Sequence, residues 1–515
     1  MSKKTLLLAI ASGILLFFSF PKYGLGGTAW IALIPLFFSL RNTDEKKSLL
    51  IGFIAGLVCN VGLIYWITFV VVHYGYLPYY VGIFVMLLLA AYLSIYMALF
   101  TCGFAYFSSK GIPGIIHAPV LWTCLEYAKS HLFTGFPWEN LAYTQYLNHN
   151  IIQLADVTGT YGISFIIIFI NVTIYDVLNK QLTRKRIIGE VVLAFIMILA
   201  IYGYGYLRIN EIGTSEKIAE TIDVSLIQGN IDQNIKWNPK FQRETINIYR
   251  QLSLEERSTQ PGLIVWPETA APFFFQDINT MHNEIVNIAR TSGNWILFGS
   301  PSYVRKCDDD EECISFLNSA FLLSPQGKVT GRYDKVHLVP YGEYVPLRKW
   351  FPFINKLVVG VGDFQSGKGY YPLNIGNHKL GVLICYEGIF PKASRIYKQG
   401  GANLLVNITN DAWFGKTSAP FQHLSMTVFR AVENRLFLVR SANTGISAII
   451  DPTGTIVEQS ELFTSAIVKG TVKFINKKTV YSTYGDSFVL ICMISLICCF
   501  IISLRRRNIY AYRNS

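Results

Sequence analysis

Charge is scarce in this sequence. Asp, Glu, Lys and Arg make up 15% of the 515 residues against 51% hydrophobic residues, and mean hydropathy is +0.35. That balance is foreign to a soluble globular chain. Acids are the scarcer sign, 33 against 45 Lys and Arg, which leaves a formal net charge of +12. The basic residues cluster beside apolar stretches, as membrane flanks do, so the positive balance calls for no nucleic-acid partner. A cysteine framework is missing as well. Of nine cysteines, Cys59, Cys102, Cys124, Cys492, Cys498 and Cys499 lie inside apolar runs, where cysteine is a small apolar filler. Cys307 and Cys313 flank the acidic run DDDEE; a local disulfide there suits an oxidising compartment, and two free thiols are the other reading. No histidine stands near them to make a metal site. The chain also lacks internal repeats, low-complexity linkers and, after its first apolar run, a small-x-small cleavage site. SFPKYG follows instead, so that run reads as a retained helix.

What is present is a series of apolar runs. They fall at about 5–20, 27–40, 48–72, 78–107, 112–130, 160–178 and 187–206, with one more at about 487–504. Most reach the ~20 residues a helix needs to cross a bilayer, and the first two are short. The basic residues fix an orientation. Lys3 and Lys4, then Arg41, Lys46 and Lys47, then Lys110, then Lys180 to Arg186, and finally Arg505 to Arg507 all fall on one side. This requires seven spans before the polar region and one after it. The positive-inside rule then places both termini in the cytoplasm and residues 207–486 outside. The expected division is a membrane domain at 1–206, a catalytic domain at 207–486, a final span at 487–504 and a basic tail at 505–515.

Between 222 and 475 the pattern changes to short strands alternating with amphipathic segments. Strand candidates are IDVSLIQ, LIVWPE, WILFGS, SAFLLSP, LGVLICYE, NLLVNITND, LFLVRSA, SAIIDP and AIVKGTVKF, with helices at about 239–256, 279–292 and 421–435. Strands interleaved with helices predict an α/β layered domain. Several strands are apolar throughout, as in sheets buried on both faces.

Three residues stand where strands give way to loops: Glu268 in VWPET, Lys335 in RYDKVHLVPYGEYVP, and Cys385 in LICYEG. Singly each has a bland reading, an inert strand cysteine, a strand-end acid and a surface lysine. Together they are the parts of a thiol acyl-transfer site. A thiol of ordinary pKa is mostly protonated at neutral pH, so a carboxylate must take its proton. Attack on a carbonyl creates an oxyanion, which an ammonium and a backbone N–H can stabilise. The N–H of Tyr386 is the natural second donor. Glu343, eight residues after the lysine, and Glu387, two after the cysteine, are candidate supporting carboxylates. Trp237, Tyr386 and Trp413 are candidate contacts for an acyl chain or head group. His337, in an HLVP turn, reads as structural.

These motifs resemble the nitrilase, or carbon–nitrogen hydrolase, superfamily, and more closely its membrane-bound branch, the apolipoprotein N-acyltransferase family. The resemblance rests on IQGNIDQNIKW at 227–237, WPET at 266–269, DKVHLVPYGEYVP at 334–346, CYEGIFP at 385–391 and NDAWFG at 410–415. ENLAYTQ at 139–145 and TGTYGISF at 158–165 are similar to the family's membrane segments. It implies a polytopic α-helical membrane domain joined to a nitrilase-like four-layer αββα sandwich. It implies Glu268 as base, Lys335 as charge stabiliser, Cys385 as nucleophile and Glu343 as a second carboxylate. It further implies acyl transfer from a phospholipid, typically phosphatidylethanolamine, through a cysteine thioester to the α-amino group of a diacylglyceryl apolipoprotein. No cofactor or metal is expected, because the cysteine itself carries the acyl group. Lipid substrates call for a site open to the bilayer, since each buried CH₂ is worth ~0.8 kcal/mol. The apolar stretches 271–275, 350–362 and 413–415 are candidate lids. A membrane-anchored amidase acting on small amides would use the same triad, and a transporter with a binding domain would need more intramembrane charge than Glu126 and Asp156.

Overall fold

A computed structural model describes residues 1–255, 261–308, 311–344 and 364–513. The chain forms two compact units. One comprises Met1–Thr68, Tyr79–Ile209 and Tyr484–Ser515; the other comprises Phe69–Pro78 and Asn210–Thr483.

The first unit is helical, and each predicted apolar run falls on helix. Among the described residues five helices are long and apolar enough to cross a membrane: Glu45–Ile64, Tyr79–Ser109, Thr160–Asn179, Arg184–Glu216 and Ser487–Arg505. The run at 5–20 becomes Lys3–Ser19, with 17 residues, and the run at 27–40 becomes a short broken helix over Gly26–Ser39. The run at 112–130 becomes Gly114–His131, which carries His117, Glu126 and Lys129 and is less apolar than the five. Side-chain caps set several starts. Ser2 accepts a hydrogen bond from the backbone N–H of Thr5, and Asp44 accepts one from that of Lys47 at 2.7 Å. Small residues let the helices approach closely. A Cβ at Gly52 would lie 2.6 Å from the Met97 carbonyl, and one at Gly56 would lie 3.1 Å from Ser94.

Among its described residues the second unit is built on twelve strands. They are β1 Thr221–Gln228, β2 Leu263–Val265, β3 Trp295–Asp308, β4 Glu311–Leu323, β5 Val329–Asp334, β6 Leu373–Ile375, β7 His378–Ile384, β8 Leu404–Thr409, β9 Phe437–Ala442, β10 Ala448–Ile450, β11 Ile456–Gln459 and β12 Ala466–Lys473. Two six-stranded mixed sheets result, ordered β12-β1-β2-β3-β4-β5 and β11-β10-β9-β8-β7-β6. In the first, β1, β2 and β3 run parallel; in the second, β7, β8 and β9 do. The two sheets face one another, β1 against β9 and β4 against β7. β8 is buried along its whole length, which explains its unbroken apolar run LLVNIT.

Helices Pro239–Leu254 and Thr280–Ser292 cover the first sheet. Ile246, Tyr249, Ile285 and Ala289 pack onto Ile264, Trp266, Ile296 and Phe298. Asn238 and Asn279 cap these helices, with Pro239 opening the first and Gly293, at φ +66°, closing the second. Helices Pro391–Gln399 and Ala419–Asn434 pack on β7 and β9 of the second sheet. The layers are therefore helix, sheet, sheet, helix, as expected. All nine predicted strands and all three predicted helices form. β5, β6, β11 and the helix Pro391–Gln399 were not expected, because they are short, mostly polar or half-exposed and lack a clean hydrophobic period.

One close approach matters for the site. A Cβ on Gly299 of β3 would sit 2.7 Å from the Cα of Glu268 and closer still to the backbone N of Thr269. Neither neighbour is a flexible side chain. Gly299→Ala is expected to cost about 1–3 kcal/mol by overpacking and to lower the thermal midpoint by several degrees, which a melting curve of the full chain will read.

Candidate active site

Parallel strands open a crevice beyond their carboxyl ends, and ligands bind there in α/β sheets. The candidate residues collect at such ends. Glu268 stands three residues beyond β2, Lys335 directly beyond β5, Cys385 directly beyond β7, and Asn410 directly beyond β8.

Lys335 is the hub. Its Nζ lies 3.0 Å from the Glu343 carboxylate and 3.7 Å from Glu268 Oε1, and it is 1% exposed. Burial opposes a charge there, but Glu343 and Glu268 outweigh it and hold the ammonium above the ordinary lysine range. Asn318, in the middle of β4, spans the two acids, donating to Glu268 Oε1 at 2.8 Å and to Glu343 Oε1 at 2.9 Å. The backbone carbonyl of Asn318 accepts from Lys335 N at 2.8 Å. Glu268 Oε2 accepts from Asn410 N at 3.0 Å, and Glu343 Oε2 from Val339 N at 2.8 Å. Both carboxylates are thus fixed by donors on two sides.

Cys385 is buried and begins a short 3-10 helix, Cys385–Ile389, with φ at +52°. That left-handed conformation in a non-glycine residue costs of order 1–3 kcal/mol and is held only where the surroundings over-determine it. Burial raises the thiol pKa, Glu268 raises it further, and Lys335 works in the other direction. The resting thiol is protonated at neutral pH, as a site with its own base requires.

Glu387 lies one step behind. Its Oε1 accepts from Tyr333 Oη, Val336 N and His337 N at 2.8, 2.8 and 3.0 Å, and its Oε2 from Ile384 N at 2.8 Å. It thereby staples the loop after β5, which carries Lys335, to the turn that carries Cys385. Burial raises its carboxyl to about 7, against the lowering pull of the His337 and Ile384 N–H groups, Lys335 and the Tyr333 hydroxyl. Tyr386 is buried on Phe390, ring centroids 5.0 Å apart. His337 lies on Phe390 at 3.8 Å, and burial lowers its pKa to about 4.

Trp237 is half-buried and, among the described residues, makes no hydrogen bond or ring contact with these groups. Its neighbour Lys236 does touch the site: Nζ donates to the Glu268 carbonyl at 3.2 Å, and burial lowers its pKa to about 8. Trp413 packs edge-on against Tyr74 at 4.6 Å. Of the lid candidates, 271–275 is packed down. Phe275 is a core residue, and Phe274 stacks on Phe316 at 5.8 Å. Residues 350–362 lie outside the described residues, as do the side chains of Cys307 and Cys313. Sequence reading missed Asn318, Lys236 and Asn410. Asn410 stands in the NDAWFG motif and was within reach, whereas Asn318 sits inside an ordinary-looking strand. Among the described residues no cluster of His, Cys, Asp and Glu is grouped to hold a metal.

Comparison with known proteins gives concordant findings. Residues 12–173 match the model of the apolipoprotein N-acyltransferase N-terminal domain, and residues 224–475 match that of carbon-nitrogen hydrolase. An apolipoprotein N-acyltransferase of Geobacter metallireducens is 45% identical over 99% of this chain and 97% of its own. One from Pasteurella multocida is 31% identical over 95% of this chain and 94% of its own. Among solved structures, a carbon-nitrogen hydrolase from Helicobacter pylori G27 is 16% identical and superposes with a TM-score of 0.37, covering 52% of this chain and 94% of that one.

Proposed function

This chain belongs to the apolipoprotein N-acyltransferase family, and on that premise we propose how its residues divide the reaction. It is a membrane acyltransferase with a carbon–nitrogen hydrolase catalytic domain, passing a fatty acyl chain from a phospholipid to the N-terminal amine of an apolipoprotein. The amidase alternative does not account for a matching membrane domain over 12–173.

The observation that carries the mechanism is Lys335 clamped between Glu268 and Glu343 beside a strained, buried cysteine. Glu268 takes the proton from Cys385 Sγ as the sulfur attacks the ester carbonyl. The carbonyl oxygen becomes an oxyanion between Lys335 Nζ and the Tyr386 N–H. Collapse breaks the bond to the glycerol oxygen, which receives the proton from Glu268, and lysophospholipid leaves. In the second half the α-amino group of the diacylglyceryl cysteine attacks the thioester. Glu268 accepts a proton from that nitrogen and passes it to Cys385 Sγ as the C–S bond breaks, which restores both the thiol and the carboxylate. Glu343 holds Lys335 charged and in place, Asn318 bridges the two acids with its amide, and Glu387 joins the loops.

Phosphatidylethanolamine is the proposed donor. The proposed placement is the inner membrane, with 207–486 on the periplasmic side and both termini in the cytoplasm. The row of basic residues on one side of the apolar runs supports it. Trp237 and Trp413 are proposed to meet acyl chain or head group rather than the reacting atoms.

Intact mass after incubation with phosphatidylethanolamine alone tests the first half. A hydroxylamine-labile adduct of one acyl chain is expected. Ammonia released from simple amides with no adduct from phospholipid would replace this reading with the amidase one.

A further inference from the structure

Arg440 lies on β9, wholly buried, and the mechanism above does not use it. Its guanidinium reaches three side chains. Nη1 donates to Asn407 Oδ1; Nη2 donates to Asp411 Oδ2 at 2.6 Å and lies 3.0 Å from His423 Nδ1. Two of these partners continue to one atom. His423 Nε2 is 3.2 Å from the Cys385 carbonyl oxygen, and Asn407 Nδ2 is 3.4 Å from it while also bonding the Leu383 carbonyl at 3.0 Å.

The proton positions follow from what each group can do. A carbonyl oxygen only accepts, so His423 Nε2 carries hydrogen. A guanidinium only donates, so Nδ1 is the lone-pair nitrogen. Asp411 Oδ1, 3.1 Å from Nδ1, takes its hydrogen from Thr409 Oγ1 at 2.9 Å. Burial would raise the Asp411 carboxyl, but the Arg440 guanidinium holds it below the usual range; burial and Arg440 lower the His423 pKa. The arrangement is therefore one charged pair, Arg440 and Asp411, with a neutral imidazole hung from it.

A peptide unit is planar, and in its trans form the C=O and the next N–H point in opposite directions. The bond after Cys385 is not among the cis peptides. Holding the Cys385 carbonyl toward His423 and Asn407 therefore turns the Tyr386 N–H the opposite way. That N–H belongs to the first turn of a 3-10 helix, where backbone N–H groups have no partner within the helix.

We propose that Arg440, through His423 and Asn407, is a positioning device for the oxyanion donor: it fixes the 385–386 peptide plane so that the Tyr386 N–H faces the developing charge. This rests on the reading of Tyr386 N–H as that donor. Arg440, His423 and Asn407 touch no reacting atom.

Two reactions at one sulfur test it in the full-length protein. Alkylation of Cys385 by iodoacetamide displaces iodide with no oxyanion; acylation by p-nitrophenyl octanoate needs one. In His423→Leu, acylation is expected to fall about 30- to 100-fold, toward the loss of one donor, with alkylation of Cys385 changed less than about threefold and KM for the ester unchanged. His423→Gln, which restores an N–H donor, is expected to recover most of the acylation rate. Should His423→Leu fail to fold, Asn407→Asp removes the other donor at constant size and carries the same expectation. Parallel loss of both rates, or an unchanged acylation rate, overturns the proposal. If the native chain reacts with the activated ester but never with phospholipid, the donor assignment falls and the positioning role stands.

Discussion

Cys385→Ala is expected to accept no acyl chain at all, while keeping its fold and its melting temperature within a degree or two. The side chain sits at 8% exposure, and the change from sulfur to hydrogen leaves only a small void. Its turn is held by contacts that the substitution does not touch, Glu387 to Ile384 N and His423 to the Cys385 carbonyl. Overall transfer should fall by at least about 10⁴-fold, the scale on which losing a nucleophile abolishes a covalent route. The check is intact mass with phospholipid alone, beside a complete assay with a lipopeptide acceptor. An adduct persisting on the alanine variant would move the nucleophile elsewhere. Transfer without an adduct would mean direct aminolysis, with no covalent enzyme.

Lys335→Met should be nearly as damaging, and for two separable reasons. The ammonium is proposed to meet the oxyanion, and removing one such stabiliser costs roughly 10²–10³ in rate. Its loss also leaves a buried Glu268 and a half-buried Glu343 sharing the Asn318 amide with no cation between them. Breaking a buried pair in this way typically costs about 3–5 kcal/mol. The pH dependence tells the two apart. In the native chain Lys335 has a folded-state pKa above its unfolded value, so its contribution is complete below about 10.4 and is lost only at strongly alkaline pH. In the variant two facing carboxylates push one folded-state pKa upward. The folded form then binds more protons than the unfolded form above about 4.3, and stability should fall as pH rises through that window. A variant that melts lower at neutral pH than at pH 5 is the expected result. A melting temperature independent of pH would mean that the two acids were never electrostatically joined to the lysine.

Legibility in the sequence followed the type of signal. Glu268, Lys335, Glu343, Cys385 and Glu387 were readable because each stands where a strand pattern breaks, and a polar residue there has few structural reasons to exist. The layered fold was readable because β7 and β8 are largely apolar runs and β1 alternates between apolar and polar residues. Asn318 was not, since an asparagine inside FLNSAFLL looks like a solvent-facing position until β5 is seen to close over that edge. Arg440 and His423 were hidden in a similar way. A charge inside LFLVRSA, or a histidine on an amphipathic helix, is read as exposed, and only the packing of helix Ala419–Asn434 onto β9 makes both 1% exposed or less. Trp237 was chosen for its motif, but the contact with Glu268 is made by the residue before it. Periodicity reports which face is apolar and is silent on which polar residues are captured between two layers.

The second unit is not one stretch of chain. Phe69–Pro78 belongs to it, though some 130 residues separate that segment from Asn210. There Tyr74 Oη donates to the Ala412 carbonyl at 2.9 Å, and Phe69 fills the space over Gly415, where a Cβ would come within 2.6 Å of its ring. Loop 410–415 supplies Asn410 to Glu268 and Asp411 to Arg440. A soluble fragment cut at 210–483 would therefore keep all three side chains proposed to react and lose the brace on the loop behind two of their supports. For anyone building a crystallisation fragment, a chimera with another anchor or a split enzyme, the minimal working part is a two-piece assembly, and the short piece must be supplied in trans or grafted back.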